Sequence, residues 1–426
     1  MYEQIPFSSL VKINPPLDRT LPSPSAEVSF ISMQDVTNSG YWSHRQSRPL
    51  QSIGSGYTPF QEDDVLFAKI TPCMENGKGA HATELLNGLG FGSTEFHVLR
   101  AVNDTSSRFV FHVCNSRRFR QSAEAQMTGS AGQKRVPVEF FSRFFVPRFS
   151  REEQRALATV LDSMDEAIRR TEAVIAKLRQ VKAGMLHDLL TRGLDENGEL
   201  RDPLRHPEQF KDSPLGRIPT DWEWYTLGSI GSWVGGHTPS KGVDKYWRDG
   251  EVVWITPKDV KGQILHDSQD HLTVQAVKAT CLLVYPPNSI FIVFRSGILK
   301  HSLPVATCTN PFTVNQDLKV FISNRGVISE YISIFLEKDS EFIINTAVKS
   351  GTTVESIDRS IFESMRIALP NEKEQKIIIE RIKYVSNRLE REKINKQKLL
   401  SIKQGLLHDL LTGRVCVPPH LLEASS

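Results

Sequence analysis

The chain has 426 residues, of which 39% are hydrophobic and 24% are charged, and its formal net charge is +3. A chain of this length can form two or three domains with separate cores, and the composition is typical of a soluble globular protein. This net charge is too small to indicate a polyanionic partner by itself. One face of the protein can still be basic.

Cysteine spacing and the length of apolar runs argue against several further classes. The five cysteines are odd in number and too far apart for a Cys-x-x-Cys pair, which disfavours a disulfide framework or a zinc knuckle and favours a reducing compartment. The first residues lack the basic and apolar regions of a secretory signal. Apolar runs such as 290–294 have strand length, well below the roughly 20 residues of a membrane helix. We therefore expect a cytoplasmic protein without a membrane partner.

Residues 1–149 are predicted to form the first of two mixed α/β domains. Apolar residues cluster or alternate at strand length, and the predicted strands cover 27–33, 64–70 and 95–99. Phe109, Val113 and Arg117 have helical spacing and predict a helix over 108–120. A Gly-rich basic loop over 128–135 follows.

Residues 150–192 are predicted to form a long helix. Its inward positions alternate between steps of four and three residues, which is the repeat of a coiled coil. Thr171 and Lys182 occupy two of these positions. The apolar members of this seam are Leu157, Leu161, Met164, Ile168, Ile175, Leu178, Met185 and Leu189.

Residues 193–220 are rich in Pro, Asp and Gly, and they are predicted to be a linker with turns. Residues 221–370 then repeat the plan of the first domain. The matched segments are 28–36 with 252–260, 65–69 with 289–293, and the predicted helix over 108–120 with 331–342.

Residues 371–414 are a second copy of the long helix, and a tail over 415–426 ends the chain. The copies are offset by 221 residues, so that Gly184 corresponds to Gly405. Lys182 and Lys403 interrupt the two seams at the same place, which we interpret as lysines that snorkel or fix the register. The second seam is Ile378, Ile382, Val385, Leu389, Leu399, Leu406 and Leu410.

An internal repeat of this length predicts two equivalent units. The expected fold is α+β, with two α/β domains separated by two long helices that pack as an antiparallel coiled coil with an internal pseudo-twofold repeat.

The sequence contains no group of residues with the spacing of an active site. Asn14-Pro-Pro-Leu17 lacks the aromatic residue that stacks on a flipped base in amino-methyltransferases. His187-Asp188 and His408-Asp409 stand alone near helix ends, without the further ligands of a two-metal site. We therefore predict a binding protein with no catalytic residue, metal ion or cofactor of its own.

Polar and basic residues recur at matching places in the two domains, and they are candidates for DNA contacts. Arg, Lys, Asn and Gln can read base edges, while Ser and Thr suit phosphates, although for any single position a solvated loop is the simpler explanation. In the first domain the candidates are Arg117, Arg118, Arg120, Gln133, Lys134 and Arg135. In the second domain they are Thr238, Ser240, Lys241, Lys258, Arg295, Ser296, Lys300, Asn315, Gln316, Lys349, Thr352 and Thr353.

Several motifs along the chain together match the pattern of one known family. They are Gly236-His-Thr-Pro-Ser-Lys241, Trp254-Ile-Thr-Pro-Lys-Asp259, Asn315-Gln316, Ser350-Gly-Thr-Thr353 and the Leu-His-Asp-Leu-Leu-Thr ends at 186–191 and 407–412. Through these motifs the chain resembles, over nearly its whole length, the specificity subunits of type I restriction-modification systems. The first domain departs from the family pattern because it lacks the Gly-x-Thr-Pro-Ser loop, so base-contact positions transfer less directly to it.

The resemblance implies that each domain is a target-recognition domain for one half of a bipartite, asymmetric site in double-stranded DNA. It also implies that the helices set the spacing between the half-sites and dock two methyltransferase subunits, which restriction subunits with translocase and nuclease activity join. The chain is then non-catalytic, with S-adenosylmethionine, ATP and Mg²⁺ on its partners. The residues alone leave two other functions open: a methyltransferase or nuclease that acts alone, and a coiled-coil scaffold without DNA specificity.

Overall fold

The computed structural model describes residues 2–18, 20–102, 104–130, 132–350 and 354–416. The chain divides into two compact units, which we call unit one (Met1–Ala173 with Lys393–Ser426) and unit two (Val174–Glu392). Each unit contains a globular domain and one segment from each of two long helices.

The described residues of unit one form two four-stranded sheets, a two-stranded sheet and three short helices. The strands are β1 (Gln4–Pro6), β2 (Val11–Ile13), β3 (Glu27–Ile31), β4 (Gln46–Pro49), β5 (Thr58–Gln61), β6 (Val65–Ala68), β7 (Gly79–His81), β8 (Leu89–Gly92), β9 (Phe96–Ala101) and β10 (Phe145–Pro147). The short helices are α1 (Ser107–Asn115), α2 (Arg117–Ala125) and α3 (Phe140–Arg143). The two four-stranded sheets have the orders β2-β9-β6-β7 and β4-β3-β8-β5.

The core of unit one is rich in phenylalanine. Phe119 lies at its centre, with ring centroids of Phe7, Phe140 and Phe144 at 5.1, 5.0 and 4.8 Å, mostly in edge-to-face contact. Such aromatic pairs contribute beyond the area they bury. This cluster fixes α2 and α3 against the sheet.

Unit two contains more elements than unit one. After the long helix α4 (Arg151–Thr191), the strands are β11 (Phe210–Ser213), β12 (Gly216–Pro219), β13 (Glu223–Thr226), β14 (Gly231–Gly235), β15 (Val252–Ile255), β16 (Ile264–Leu265), β17 (Asp270–Leu272), β18 (Ile290–Val293), β19 (Val305–Cys308), β20 (Phe312–Val314), β21 (Leu318–Ser323), β22 (Val348–Lys349), β23 (Ser356–Ile357) and β24 (Arg366–Leu369). The helices are α5 (Val274–Ala279), α6 (Ser329–Lys338), α7 (Ser340–Ala347), α8 (Arg359–Ser364) and the long α9 (Glu372–Leu411).

The two domains share one topology. In unit two the sheets have the orders β14-β21-β18-β19-β16 and β17-β15-β20, so the central β6 and β9 of unit one correspond to β18 and β21. Each second sheet contains one parallel pair, β3 with β8 and β15 with β20. The first and last strands also pair in each domain, β1 with β10 and β13 with β24.

The long helices pack as the apolar seam predicts. All the seam residues in both copies are buried or half-buried. In unit one, Asp165 contacts Lys403 and Glu172 contacts Lys396, and this opposite numbering shows that the segments are antiparallel. In unit two, Leu186 and Leu190 share a core with Ile378. The α+β fold with a coiled coil is therefore confirmed. Within the described residues, no helix has the length and apolar character needed to cross a membrane.

Two local predictions differ from the structure. The single helix predicted over 108–120 is two helices, because Ser116 adopts an extended conformation and its side chain caps α2 by accepting a hydrogen bond from Phe119 N. Its counterpart is likewise divided into α6 and α7 at Asp339. The predicted linker contains the hairpin β11–β12, whose turn uses Gly216 at a φ of +90°.

A repeated glutamine joins each domain to its long helix. In unit one, Gln154 accepts a hydrogen bond from Ser106 N at 3.0 Å and donates one to Phe149 O at 3.1 Å. In unit two, Gln375 accepts from Ile328 N at 2.9 Å and donates to Pro370 O at 2.9 Å. Both glutamines are buried, so each satisfies backbone groups that water cannot reach.

The two seam lysines form ion pairs with different partners. Lys182 contacts Glu337 of α6 at 2.5 Å, within unit two. Lys403 contacts Asp165 of α4, within unit one. Their side chains are 11% and 12% exposed, and burial at this level strengthens a charge pair and makes the loss of one partner costly.

Glu374 connects three parts of unit two. Its Oε1 accepts hydrogen bonds from Leu194 N at 2.6 Å and Arg201 Nη1 at 2.9 Å, and its Oε2 accepts one from Trp222 Nε1 at 3.0 Å. The Glu374 and Arg201 side chains are 7% and 8% exposed. This carboxylate therefore fixes the linker and the start of the domain to α9.

We expect Glu374→Ala to lower the free energy of unfolding by roughly 3–5 kcal/mol, because it leaves two N–H groups without their acceptor and removes one of the two carboxylates that pair with the buried Arg201. Glu380→Ala removes an exposed glutamate from the same helix and should change the free energy by less than about 0.5 kcal/mol. Urea denaturation of the full chain measures both effects, and equal stability of the two variants would contradict this role for Glu374.

Candidate nucleic-acid interface

The turn between β20 and β21, residues 315–317, brings four strand ends of unit two together. Gly236 N donates to Asn315 O at 3.2 Å, and Asn315 N donates to Ile255 O at 3.1 Å. Arg295 N donates to Asp317 O at 3.2 Å. The loops that follow β14, β15 and β18 therefore surround this turn, and most of the predicted DNA-contact residues of unit two lie on these loops.

One side of this surface carries two lysines on a single carboxylate. Lys241 Nζ and Lys258 Nζ lie 3.2 and 3.1 Å from Asp270 Oδ2. Burial raises the pKa of Asp270, but the hydrogen bonds from the two lysines outweigh it, so the pKa is lowered. Lys241 also lies 3.5 Å above the ring of Trp247. Two cations on one anion leave one net positive charge at this position.

Three neutral side chains accompany these lysines. Thr238 Oγ1 donates a hydrogen bond to Gln316 Oε1 at 2.9 Å. Ser240, Thr238 and Gln316 are all exposed. The hydrogen bond leaves the amide N–H groups of Gln316 available to an acceptor on an approaching ligand.

The other side of the surface lies where the chain leaves β18. Arg295 is exposed, and Ser296 caps the following turn by accepting a hydrogen bond from Ile298 N. Ser296 N donates to Glu355 O at 3.1 Å, and Lys300 Nζ lies 3.2 Å from Glu355 Oε1. This group ties the 294–300 segment to the segment around Glu355.

Lys349, Thr352 and Thr353 are also among the predicted DNA-contact residues of unit two. Lys349 is exposed and pairs with Asp358, which neutralises it. Thr352 and Thr353 lie outside the described residues, so their assignment stays a prediction.

Asn315 does not face solvent. It is 5% exposed, its Nδ2 donates to Asp317 Oδ2 at 3.0 Å, and its Oδ1 accepts from Asp317 N at 3.0 Å. Asn315 therefore shapes the 315–317 turn, and its side chain is not part of the exposed surface. Asp270 and Glu355 were not predicted from the sequence, because no local pattern indicates which acids lie beside the lysines.

In unit one the predicted Gly-rich loop is a hairpin beside the end of β6. Thr71 N donates to Lys134 O at 3.0 Å, and Val136 N donates to Lys69 O at 2.9 Å. Gln133, Lys134 and Arg135 are exposed. Arg135 contacts Glu95 Oε1 at 2.7 Å and Oε2 at 3.0 Å, and its hydrogen bonds lower the pKa of Glu95.

The hairpin of unit one and β23 of unit two make equivalent contacts with a central strand. Arg135 bridges to Ile70 just beyond β6, and Ser356 of β23 bridges to Arg295 just beyond β18. In each domain a later segment of the chain therefore pairs with the residues that follow the central strand.

The three arginines predicted on the α1–α2 region have different environments. Arg120 is 9% exposed and lies 4.5 Å from the Phe67 ring. Its guanidinium donates to Cys114 O at 2.7 Å and Met74 O at 2.9 Å, and to three further acceptors, Gly77 O, Lys78 O and Asn115 Oδ1. Burial lowers its pKa to about 10, so it stays charged at neutral pH. Arg120 supports the core, and its side chain is not part of the exposed surface.

Arg117 and Arg118 are exposed at the start of α2. They line a groove beside Gln404 and His408 of α9, within unit one. The hairpin 128–135 follows the other end of α2, and eight residues of helix separate the two ends by about 12 Å. These arginines are therefore a group distinct from Gln133–Arg135.

His112, Asp162 and Asp165 place ligand atoms within 4.8 Å of one another. His112 Nε2 lies 2.8 Å from Asp162 Oδ1. Each carboxylate also contacts a cation, Arg108 for Asp162 and Lys403 for Asp165. These cations oppose metal binding, so the cluster is an ion-pair network between α1 and the long helices.

We expect Arg120→Ala to destabilise the chain by roughly 3–5 kcal/mol, because it removes a buried charge with several hydrogen bonds. Arg117→Ala should change stability by less than about 0.5 kcal/mol, because Arg117 is exposed. Thermal unfolding of both variants measures this difference, and a stable Arg120→Ala protein would restore Arg120 as a surface candidate.

Residues 219–399 match the family model described as the type I restriction modification DNA specificity domain. The chain is 39% identical over 182 residues to the specificity subunit of the type I restriction enzyme EcoR124I/EcoR124II from Escherichia coli, a match that covers 43% of this chain and 45% of that protein. It is 30% identical to the MjaIX specificity subunit from Methanocaldococcus jannaschii, over 45% of this chain and 44% of that protein. These matches therefore span less than half of each relative.

The fold is also similar to a solved structure over almost its full length. The S subunit of a type I restriction-modification system from M. genitalium superposes with a TM-score of 0.55 and 14% identity, covering 96% of each chain. At this identity the likeness concerns the fold alone. Residues 219–399 therefore match a type I restriction modification DNA specificity domain, and the chain is similar in sequence to curated type I specificity subunits.

Proposed function

We propose that this chain is the DNA-specificity subunit of a type I restriction-modification enzyme, in which each globular domain reads one half of a bipartite, asymmetric site. The observation that carries the proposal is the surface around residues 315–317. Cationic, amide and hydroxyl side chains converge there at four strand ends, inside the segment that matches a DNA specificity domain.

The side chains at this surface suit two kinds of DNA contact. Lys241 and Lys258 share Asp270, and a phosphate can attract either lysine while the other keeps the carboxylate neutralised. The exposed Arg295 and Gln316 can form paired hydrogen bonds with base edges in the major groove. The lysines then supply affinity and the Arg and Gln side chains supply sequence selection.

The two domains carry different side chains at the same place in a shared topology. Beyond the central strand, unit one has Lys69-Ile70-Thr71 and unit two has Phe294-Arg295-Ser296. The adjoining loops also differ, with Gln133-Lys134-Arg135 in unit one. Because side chains at these loops decide which bases are favoured, the two half-sites should differ in sequence.

In this proposal the long helices set the distance between the half-sites. A helix of 41 residues, such as α4, is about 60 Å long, which exceeds one DNA turn of roughly 34–36 Å. The helices also dock two methyltransferase subunits, which restriction subunits join. S-adenosylmethionine, ATP and Mg²⁺ belong to those partners, and this chain supplies recognition without catalysis.

We expect Lys241→Ala and Lys258→Ala each to reduce the slope of log Kd against log salt by about 1, because each removes one phosphate contact. The affinity should fall by similar factors for specific and unrelated DNA. Lys211→Ala is the control, because Lys211 lies on the β11–β12 hairpin, away from the 315–317 turn in sequence, and pairs with Glu223 of β13. This variant removes one lysine that is not a predicted DNA contact. Fluorescence anisotropy of the assembled complex measures the slopes, and an unchanged slope in both lysine variants would contradict this DNA surface.

We expect replacement of residues 221–369 with the second domain of another specificity subunit to change one half-site and preserve the other. The reason is that each domain has its own sheets and its own loop surface. Sequencing of DNA selected by the assembled complex provides the measurement. A change in both half-sites would contradict independent reading by the two domains.

A further inference from the structure

The contact between α1 and α4 in unit one places a cation, Arg108, on the globular domain and a carboxylate, Asp162, on the long helix. Arg108 and His112 of α1 both contact Asp162 of α4, with His112 Nε2 at 2.8 Å. His112 is fully buried, and the Arg108 and Asp162 side chains are 30% and 38% exposed. The domain therefore supplies positive charge to a partly buried carboxylate.

The corresponding contact in unit two has the opposite polarity. Lys383 of α9 contacts Glu330 of α6 at 2.9 Å, and Lys182 of α4 contacts Glu337 of α6 at 2.5 Å. The Lys182 side chain is 11% exposed, so its carboxylate partner is required to stabilise it. In unit two the domain supplies the anions and the long helices supply the cations.

These contacts occupy equivalent positions in the duplicated chain. Gln154 binds Ser106 N, and Gln375 binds Ile328 N, which aligns α1 with α6 at an offset of 222 residues. Arg108 then corresponds to Glu330. The long helices align at an offset of 221 residues, so Asp162 corresponds to Lys383.

The exchange of the two domains would place like charges together. On the helix segments of unit one, Glu330 would face Asp162, and Ile334 would replace His112 as its neighbour. On the segments of unit two, Arg108 would face Lys383, and Lys182 would meet Asn115 in place of Glu337. Each exchange leaves one partly or largely buried charge without its partner, which costs more than the pair itself contributes.

We propose that this reversed polarity assigns each globular domain to its own pair of helix segments. The glutamine contacts are the same in both units, so they would hold either domain on either pair of helix segments. The ion pairs have opposite polarity in the two units, so each pair of helix segments favours its own domain. The covalent chain joins each domain to its own helix segment, and the ion pairs make the two domains non-interchangeable on those segments. This inference does not depend on DNA recognition.

The proposal is tested by making the same substitution, Asp162→Lys, in the native chain and in a chimaera. In the chimaera, residues 1–149 are replaced by a second copy of residues 221–370, so that both domains carry the acidic helix and the carbonyl of Pro370 stands where Phe149 O accepts from Gln154. Asp162→Lys should lower the melting temperature of the native chain by roughly 5–10 °C, because it opposes Arg108. The same substitution should raise that of the chimaera, because it faces the copied Glu330. A fall of equal size in both proteins would overturn the proposal.

A second arm uses the native chain and does not require the chimaera to fold. Arg108→Glu alone and Asp162→Lys alone should each lower the melting temperature, and Arg108→Glu/Asp162→Lys should recover at least half of the loss. Glu380→Lys makes the same charge change at an exposed position of α9 and should neither lower the melting temperature nor improve Arg108→Glu. Additive losses in the double variant would contradict selection by polarity.

Discussion

The structure depends on the way each globular domain is fixed to the first turns of a long helix. A Glu-Gln pair performs this role twice. Gln154 and Gln375 complete the hydrogen bonds of buried backbone groups on their own domains. Glu153 accepts a hydrogen bond from Tyr2 in unit one, and Glu374 accepts one from Trp222 in unit two. Because an unpaired buried polar group is costly, these contacts hold each domain in one orientation on its helix.

Because each domain is held in one orientation, the loops at its strand ends are held in a defined position as well. Loops differ in sequence at low cost when a rigid scaffold carries them. In unit two the 315–317 turn links the ends of four strands, and in unit one the hairpin through Arg135 lies beside the end of β6. The chain thus combines the same glutamine contacts in both units with two different loop surfaces. The proposed recognition of an asymmetric DNA sequence requires this combination.

Regular patterns made much of the fold predictable from sequence. The seam of the long helices repeats over many turns, and the strands at 27–31, 65–68 and 290–293 coincide with apolar runs. The break between α1 and α2 was missed because the side chain of a single residue, Ser116, caps α2. A cap of this kind ends a helix without disturbing the apolar spacing.

The site was less predictable because burial depends on contacts distant in sequence. Arg118 and Arg120 have the same side chain and lie two residues apart. Arg118 is nevertheless exposed, whereas Arg120 donates hydrogen bonds to carbonyl groups of the 74–78 segment. Lys182 and Lys403 likewise share a local sequence, but their acidic partners are Glu337 and Asp165. Such pairings follow from tertiary structure, and residue type alone does not reveal them.

In the proposed function, two domains on fixed helices read two different DNA sequences at one spacing. Mapping of methylated adenines in cells that carry this chain with its partner subunits, beside cells that lack the chain, tests it most directly. We predict two dissimilar half-sites separated by a constant, unspecified gap, and loss of their methylation without the chain. A single uninterrupted recognition sequence, or methylation that persists without the chain, would contradict the account.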